Sequence, residues 1–277
     1  DITSDSVILR ASFDTSSVGK QPVGQLTEAN GKLYGLASYG GSFNRGTIFE
    51  YDLISNRVIT NFHFFGSNGL IPLGTMVLAP NGLLYGTTSE GGSSGFGVFF
   101  EFNPVTGVYT KKVDFTGPNG NAPKGNLIVA TNGNIYGTTT RGGASFDGII
   151  FEYNIVSDTL INKIDFGVGN IGSYNMSDLH LASNGSIYGL SFGTYSYVFE
   201  YKPDSGIIRN HHNFKSANSP VHTFRDFRSI QTTQICYPTL KYDSIIGCDS
   251  IFYGNKWFNR NDSISDTFKL ASKYKSR

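Results

Sequence analysis

Charge is scarce in this chain. Asp, Glu, Lys and Arg make up only 16% of its 277 residues, and the two signs nearly cancel at a net +1. Residues 1–206 are net −5 and residues 207–277 net +6, so composition shifts near position 207. The cations of the basic end (Arg225, Arg228, Lys241, Lys256, Lys273, Lys275) are dispersed, as on a solvated surface, and do not form the run that a nucleic-acid patch requires. No stretch approaches the roughly 18 unbroken apolar residues of a membrane span. No basic segment followed by an apolar core opens the chain, which starts at Asp1, as after removal of a leader or in a piece of a longer protein. Cysteine is limited to Cys236 and Cys248, without the neighbouring histidines that zinc spacing needs. There are five histidines, and no His-Glu-x-x-His, Gly-x-Ser-x-Gly or phosphate-loop pattern. Loop acids such as Asp147 stand singly, short of the clustered oxygens that calcium takes. The sequence therefore assigns no catalytic residue, no metal and no cofactor.

What is abundant is glycine (34), phenylalanine (22) and tyrosine (16), the composition of tight turns and half-buried pleated faces. These residues recur in phase. Leu33-Tyr34-Gly35, Leu84-Tyr85-Gly86, Ile135-Tyr136-Gly137 and Ile187-Tyr188-Gly189 lie 51, 51 and 52 residues apart. Each follows an Asn-Gly step (Asn30-Gly31, Asn81-Gly82, Asn132-Gly133, Asn184-Gly185). Each precedes an aromatic–Glu–aromatic triplet centred on Glu50, Glu101, Glu152 or Glu200. A period near 50 residues is the size of one four-stranded propeller blade. In the second copy, Gly74–Ala79, Leu83–Thr88, Val98–Phe102 and Val108–Phe115 read as four antiparallel strands, with Pro80-Asn81-Gly82 as a hairpin turn.

The expected fold is all-β: a β-propeller over residues 1–214, with repeats roughly at 14–65, 66–115, 116–166 and 167–214. Residues 215–277 follow as a short irregular or β tail. A segment near Ser6–Phe13 resembles the fourth strands ending at Phe65, Phe115, Phe166 and Phe214. Four or five blades are compatible with that count, because the N-terminal strand either completes a last blade closed by the tail or is spare. The fourth copy departs from the pattern: Ser191-Phe192-Gly193-Thr194 lacks the Gly-Gly loop, and the Pro-x-Gly opening is replaced. Terminal repeats cap arrays and are commonly atypical.

Residues that recur in every copy are expected to be architectural. The Leu-Tyr-Gly glycines are expected at a bulge or where another backbone comes close, with Tyr34, Tyr85, Tyr136 and Tyr188 packed between blades. The four Glu alternate away from the aromatic face and are expected to bond a neighbouring blade's backbone or to face solvent. His211 and His212, with Asp178 and His180, are the one cluster that would suit acid–base or metal chemistry if the fourth blade draws them together. Function is sought where the repeat breaks. The connection between second and third strands places Tyr39 and Arg45, then Glu90 and Phe96, then Arg141, Phe146 and Asp147 on one rim. Aromatics beside polar groups there suit contact with a glycan, a peptide or a protein.

The pattern Leu-Tyr-Gly-Thr-Thr, then Gly-Gly, then Gly-x-x-Phe-Glu, fullest at Leu84–Phe100 and Ile135–Phe151, resembles the tandem repeat of bacterial choice-of-anchor proteins of the GloVer type over about residues 7–214. The resemblance implies an exported, surface-associated β-propeller and no known reaction. The stretch from Tyr242 through Gly247-Cys248-Asp249-Ser250 to Phe268 resembles the Gly-Cys-Asp-Ser modules of secreted proteins from gliding bacteria, in truncated form. Extracytoplasmic location in turn makes Cys236 and Cys248 a disulfide candidate. The resulting expectation is a secreted or cell-surface monomer that binds or displays through its rim without catalysis. The alternatives are a propeller glycosidase or lyase and a purely structural spacer.

Overall fold

The computed structural model describes residues 9–10, 12–13, 17–168, 173–175, 178–192, 196–213, 239–241, 244–246, 250–253 and 256–259. The chain divides into two compact units, Asp1–Arg228 and Ser229–Arg277. Cys236, Cys248 and the segment Ser6–Ile8 lie outside the described residues.

The first unit contains four antiparallel sheets in chain order. Blade 1 is built from β1 (Lys20–Ala29), β2 (Lys32–Tyr39), β3 (Thr47–Asp52) and β4 (Arg57–His63). Blade 2 follows with β5 (Val77–Leu78), β6 (Leu84–Thr88), β7 (Val98–Phe102) and β8 (Tyr109–Asp114). In blade 3, β9 (Asn121–Pro123) and β10 (Ile128–Val129) both pair with β11 (Ile135–Arg141), beside β12 (Ile149–Asn154) and β13 (Thr159–Asp165). In blade 4, β14 (Ser173–Asn175) and β15 (His180–Leu181) pair with β16 (Ile187–Phe192), followed by β17 (Tyr197–Lys202) and β18 (Ile207–Asn213). These are the four-stranded blades of a β-propeller. Helix is confined to a single 3-10 turn at Gly66–Asn68 among the described residues. The second unit contributes two hairpins, β19 (Thr239–Lys241) with β20 (Ser244–Ile246) and β21 (Ser250–Tyr253) with β22 (Lys256–Asn259).

The Asn-Gly steps do turn the chain, in two ways. In blade 1 both Asn30 (φ 51°) and Gly31 (φ 74°) are left-handed, closing a two-residue hairpin between Ala29 and Lys32. In blade 2 only Gly82 (φ 79°) is left-handed, and the turn takes three residues, with Ala79 N–H donating to the Leu83 carbonyl at 2.9 Å. Blades 3 and 4 repeat the second form at Ala130–Asn134 and Ala182–Ser186.

The third strands fall where the repeat places them, and each pairing with the fourth strand slips at one position, beside Phe49, Phe100, Phe151 or Phe199. The innermost strand is shorter than the sequence implies: Gly74–Ala79 narrows to Val77–Leu78. Its opening is distorted because the residue before each Pro, namely Gln21 (φ 54°), Ile71 (φ 52°) and Ala122 (φ 53°), takes a left-handed backbone. The hydroxyls of Ser38 and Thr140 on the adjacent strand, and of Ser89 directly after it, hold it there by donating to those residues' carbonyls at 3.2, 2.9 and 2.7 Å.

Crowding between blades occurs at the Pro-x-Gly glycines. A Cβ on Gly74 would lie 2.5 Å from the Gly125 carbonyl oxygen, and one on Gly24 would lie 2.7 Å from that of Gly74. The Leu-Tyr-Gly glycines meet something else, correcting the expectation of a close backbone. Each sits directly opposite a phenylalanine of the third strand, whose ring lies across it: a Cβ on Gly35, Gly86, Gly137 or Gly189 would fall 2.3–2.4 Å from that ring.

The core is three seams between successive blades. The back of each blade presents the Leu-Tyr-Gly tyrosine, and the front of the next presents an aromatic pair. Tyr34 packs on Phe102 (6.0 Å between ring centroids), Tyr85 on Tyr153 (5.6 Å) and Tyr136 on Tyr201 (5.9 Å). The phenylalanine after each fourth strand joins the same seam: Phe64 with Phe100, Phe115 with Phe151 and Phe166 with Phe199, all at 5.5 Å.

Candidate functional site

Antiparallel order puts the second-to-third-strand loop of each blade at the same end as the connection to the next blade. That end is the rim. Residues 39 and 141 end the second strands of blades 1 and 3, residue 90 follows that of blade 2 by two positions, and all three are exposed while the preceding four residues are buried. Tyr39, Glu90 and Arg141 thus stand at equivalent points on three blades. Phe146 is 76% exposed at the tip of the third loop, with Asp147 half-buried beside it.

The loops are tied down. The carbonyl of Arg45 accepts the Ile71 N–H at 2.9 Å, and that of Phe96 accepts the Ala122 N–H at 2.9 Å, so each loop is bonded to the next blade. Arg45 keeps an exposed side chain on this anchored backbone. Phe96 differs from the others: its half-buried ring packs against the core between blades 2 and 3. A further bond holds each loop from below. Asp114 accepts the Ser93 N–H (3.0 Å) and Asp165 the Ala144 N–H (2.7 Å), while in blade 1 His63 Nδ1 accepts the Ser42 N–H (3.1 Å).

Sequence reasoning missed an aromatic pair on this rim. Phe43 (56% exposed) and Phe65 (39% exposed) have ring centroids 5.2 Å apart. The other blades carry Ser94 and Ser145, and Thr116 and Gly167, at those places. Comparing the copies position by position would have found it.

The four repeated Glu are neither solvent-facing nor bonded to a neighbouring blade's backbone, which corrects the expectation. Each lies across from the repeat tyrosine and is bonded by side chains of its own blade. Glu50 accepts from Lys32 (2.6 Å) and Asn61 (3.0 Å), and Glu101 from Tyr85 (2.8 Å). Glu152 meets Asn134 (2.6 Å) and Lys163 (3.0 Å), and Glu200 meets Ser186 and His211 (both 2.7 Å). Register explains this: a residue facing the seam in the third strand is flanked by the same-face residues of the second and fourth strands.

Burial pushes the Glu50 carboxyl up, but the bonds from Lys32 and Asn61 and the charge of Lys32 outweigh it and hold the group below the usual carboxylate range. Glu200 is also lowered: burial raises it, and Ser186 and His211 outweigh that. A general acid for glycoside cleavage needs the opposite shift. The sign for stability follows from the depressed folded pKa. The stabilisation is full above the unfolded carboxylate pKa (about 4.3) and is lost as pH falls through the lower folded values. Thermal denaturation should therefore show a melting temperature that falls on acidification below pH 5. The variant Glu50→Gln, with that linkage removed, should show a shallower acid limb. An acid limb unchanged by the substitution would contradict this account.

The proposed histidine cluster does not assemble. His180 lies on β15 and His211 on β18, three strand spacings apart in one sheet, or roughly 14 Å. His211 is paired to Glu200, and Asp178 accepts the Asn126 N–H of blade 3 at 2.9 Å. The side chain of His212 lies outside the described residues. No group of three or more metal-ligating side chains occurs among the described residues. No helix among them is long and apolar enough to cross a membrane.

Among solved structures, the chain is similar to TolB from Acinetobacter baumannii, at 18% identity and a TM-score of 0.45, over 67% of this chain and 42% of that one. It is also similar to the extracellular domain of a hybrid two-component system from B. thetaiotaomicron (12%, TM-score 0.48, 69% of this chain and 22% of that one). A puromycin hydrolase complexed with PGG gives 12% identity and a TM-score of 0.49, over 69% of this chain and 29% of that one. The chain spans less than half the length of each. No curated protein matches it. The Gloeobacter/Verrucomicrobia repeat matches residues 21–252, spanning all four blades, and the chain belongs to that repeat family.

Proposed function

We propose that this chain is a non-catalytic binding or display module of the cell exterior, and that it contacts a glycan or a peptide through its rim. One observation carries the reading: residues that recur between blades are buried in the seams, whereas the exposed rim position changes from Tyr39 to Glu90 to Arg141. A fixed scaffold with varied loop residues is how binding surfaces are often arranged. The exposed Phe43–Phe65 pair adds an apolar platform of the kind on which the C–H face of a sugar ring stacks, near the Tyr39 end of the same rim. The four Glu are committed to partners within their own blades, which weighs against a glycosidase or lyase.

The same reading takes residues 1–214 as the propeller and 215–277 as a separate tail, with Cys236 and Cys248 bonded to each other outside the cell and attachment made through a region following the tail. It requires no cofactor, metal or nucleic acid.

A glycan and peptide array tests it. Saturable binding should appear and should be lost in Arg141→Ala and Phe146→Ala, which alter exposed side chains and leave the seams intact. A blank array would leave only the structural spacer. Turnover of a polysaccharide, abolished by substituting Glu50, Glu101, Glu152 or Glu200, would overturn the reading and make that residue the acid or base.

A further inference from the structure

The three seams define a front and a back for every blade, and one face at each end of the series lacks its partner among the described residues. On the front of blade 1, Leu26 is 53% exposed, whereas its counterparts Met76, Leu127 and Leu179 are 2%, 6% and 5% exposed. Leu33 and Tyr51 on that front are half-buried, where the other blades bury the same positions almost completely. On the back of blade 4, Tyr188 and Val198 are half-buried, whereas Tyr34, Tyr85 and Tyr136, like Ile48, Phe99 and Ile150, are at or below 1%. Among the described residues the two faces leave each other's side chains uncovered. Among the described residues the innermost strands touch in succession, β1 with β5, β5 with β10 and β10 with β15, and no contact of comparable extent between β15 and β1 closes the series.

The front of blade 1 is nevertheless furnished as a seam. Phe13 packs on Phe49 at 4.7 Å and 59°, repeating the contacts that Phe64, Phe115 and Phe166 make with Phe100, Phe151 and Phe199 at 5.5 Å and 57–58°. The terminal phenylalanine of a preceding blade is thus in place. Beside it lies an apolar hollow of about 490 Å³ lined by Arg10, Pro22, Val23, Leu26, Leu33 and Tyr51. What the hollow lacks is a back face carrying the repeat tyrosine.

We propose that a second copy of this chain supplies that face, with the back of its blade 4 docking on the front of blade 1. The internal seams are the argument: back meets front three times in this chain, so the free back and the free front are complementary by construction. Head-to-tail contacts of this kind close into rings when the rotation permits. Two chains of four sheets each reach the upper end of the common range of about four to eight blades. The proposed dimer has two equivalent seams, where the sequence alone led to the expectation of a monomer.

Sedimentation velocity on the full chain, from micromolar to near-millimolar concentration, should show a species of twice the chain's mass. Leu26→Arg spoils the front and Val198→Arg the back, so each alone should be monomeric, with a circular dichroism spectrum like that of the parent. Mixing the two should restore a dimer, because one intact front then meets one intact back. A parent chain that stays monomeric throughout overturns the proposal and points to cover from elsewhere in the chain. A dimer broken by Leu26→Arg but untouched by Val198→Arg also overturns it, in favour of front-to-front pairing. If either variant fails to fold, the parent's mass still decides.

Discussion

Gly86→Ala should destabilise the protein by about 1–3 kcal/mol, the cost of adding a methyl group to a packed core without room for it. The new Cβ would lie 2.3 Å from Cζ of Phe100 and 2.9 Å from both of its Cε atoms. That ring cannot swing aside, because it is fully buried, with Phe64 at 5.5 Å and Tyr109 at 5.3 Å. Backbone conformation is not the cause, since Gly86 is absent from the left-handed residues. The measurement is a urea titration, in which the midpoint should fall with the slope unchanged. Combining Gly86→Ala with Phe100→Leu should cost less than the sum of the two single changes, because the shorter side chain vacates the space the methyl needs. Full additivity would show that the ring is not what excludes the methyl.

Phe115→Ala should cost about 3–5 kcal/mol, the range for removing a buried aromatic from a core. Phe115 is fully buried and bridges blades 2 and 3 through Phe151. Phe13 makes the corresponding contact with Phe49 but is only half-buried. In dilute protein, Phe13→Ala should therefore cost about 1 kcal/mol, in proportion to the smaller area it withdraws from water. The same titration compares the two. Equal costs would mean that the front of blade 1 is as well covered as the internal seams.

The period, the third strands and the burial of the recurring aromatics were legible because each depends on local alternation repeated four times. Val98–Phe102 is both the segment expected from sequence and the strand observed. The partners of the four Glu were not legible. Lys32, Asn134 and Ser186 are different residue types at one repeat position, Glu101 is met instead by the recurring Tyr85, and only strand register brings each to its carboxylate. The role of the Leu-Tyr-Gly glycine was misplaced for a related reason. A glycine signals that something comes close, and the cross-strand register decides that it is Phe100 and not a neighbouring backbone. His180 and His211 looked convergent because sequence distance hides that they occupy opposite edges of one sheet. Of the rim, the exposure of Tyr39, Glu90, Arg141 and Phe146 followed from their loop position, whereas the inward turn of Phe96 depends on the adjoining core.

The interchangeability of the seams bears on how such a gene can change. Phe64 on Phe100 and Phe115 on Phe151 are the same contact at the same spacing. Unequal recombination between the codons of Phe64 and Phe115 would remove or duplicate 51 residues and still leave each internal back facing a front. Such an event brings no new packing problem, because stability in an array of this kind is close to a sum over neighbouring units. Repeat number is then a quantity that drift can alter cheaply, and each added copy delivers one more rim loop whose sequence is free to diverge.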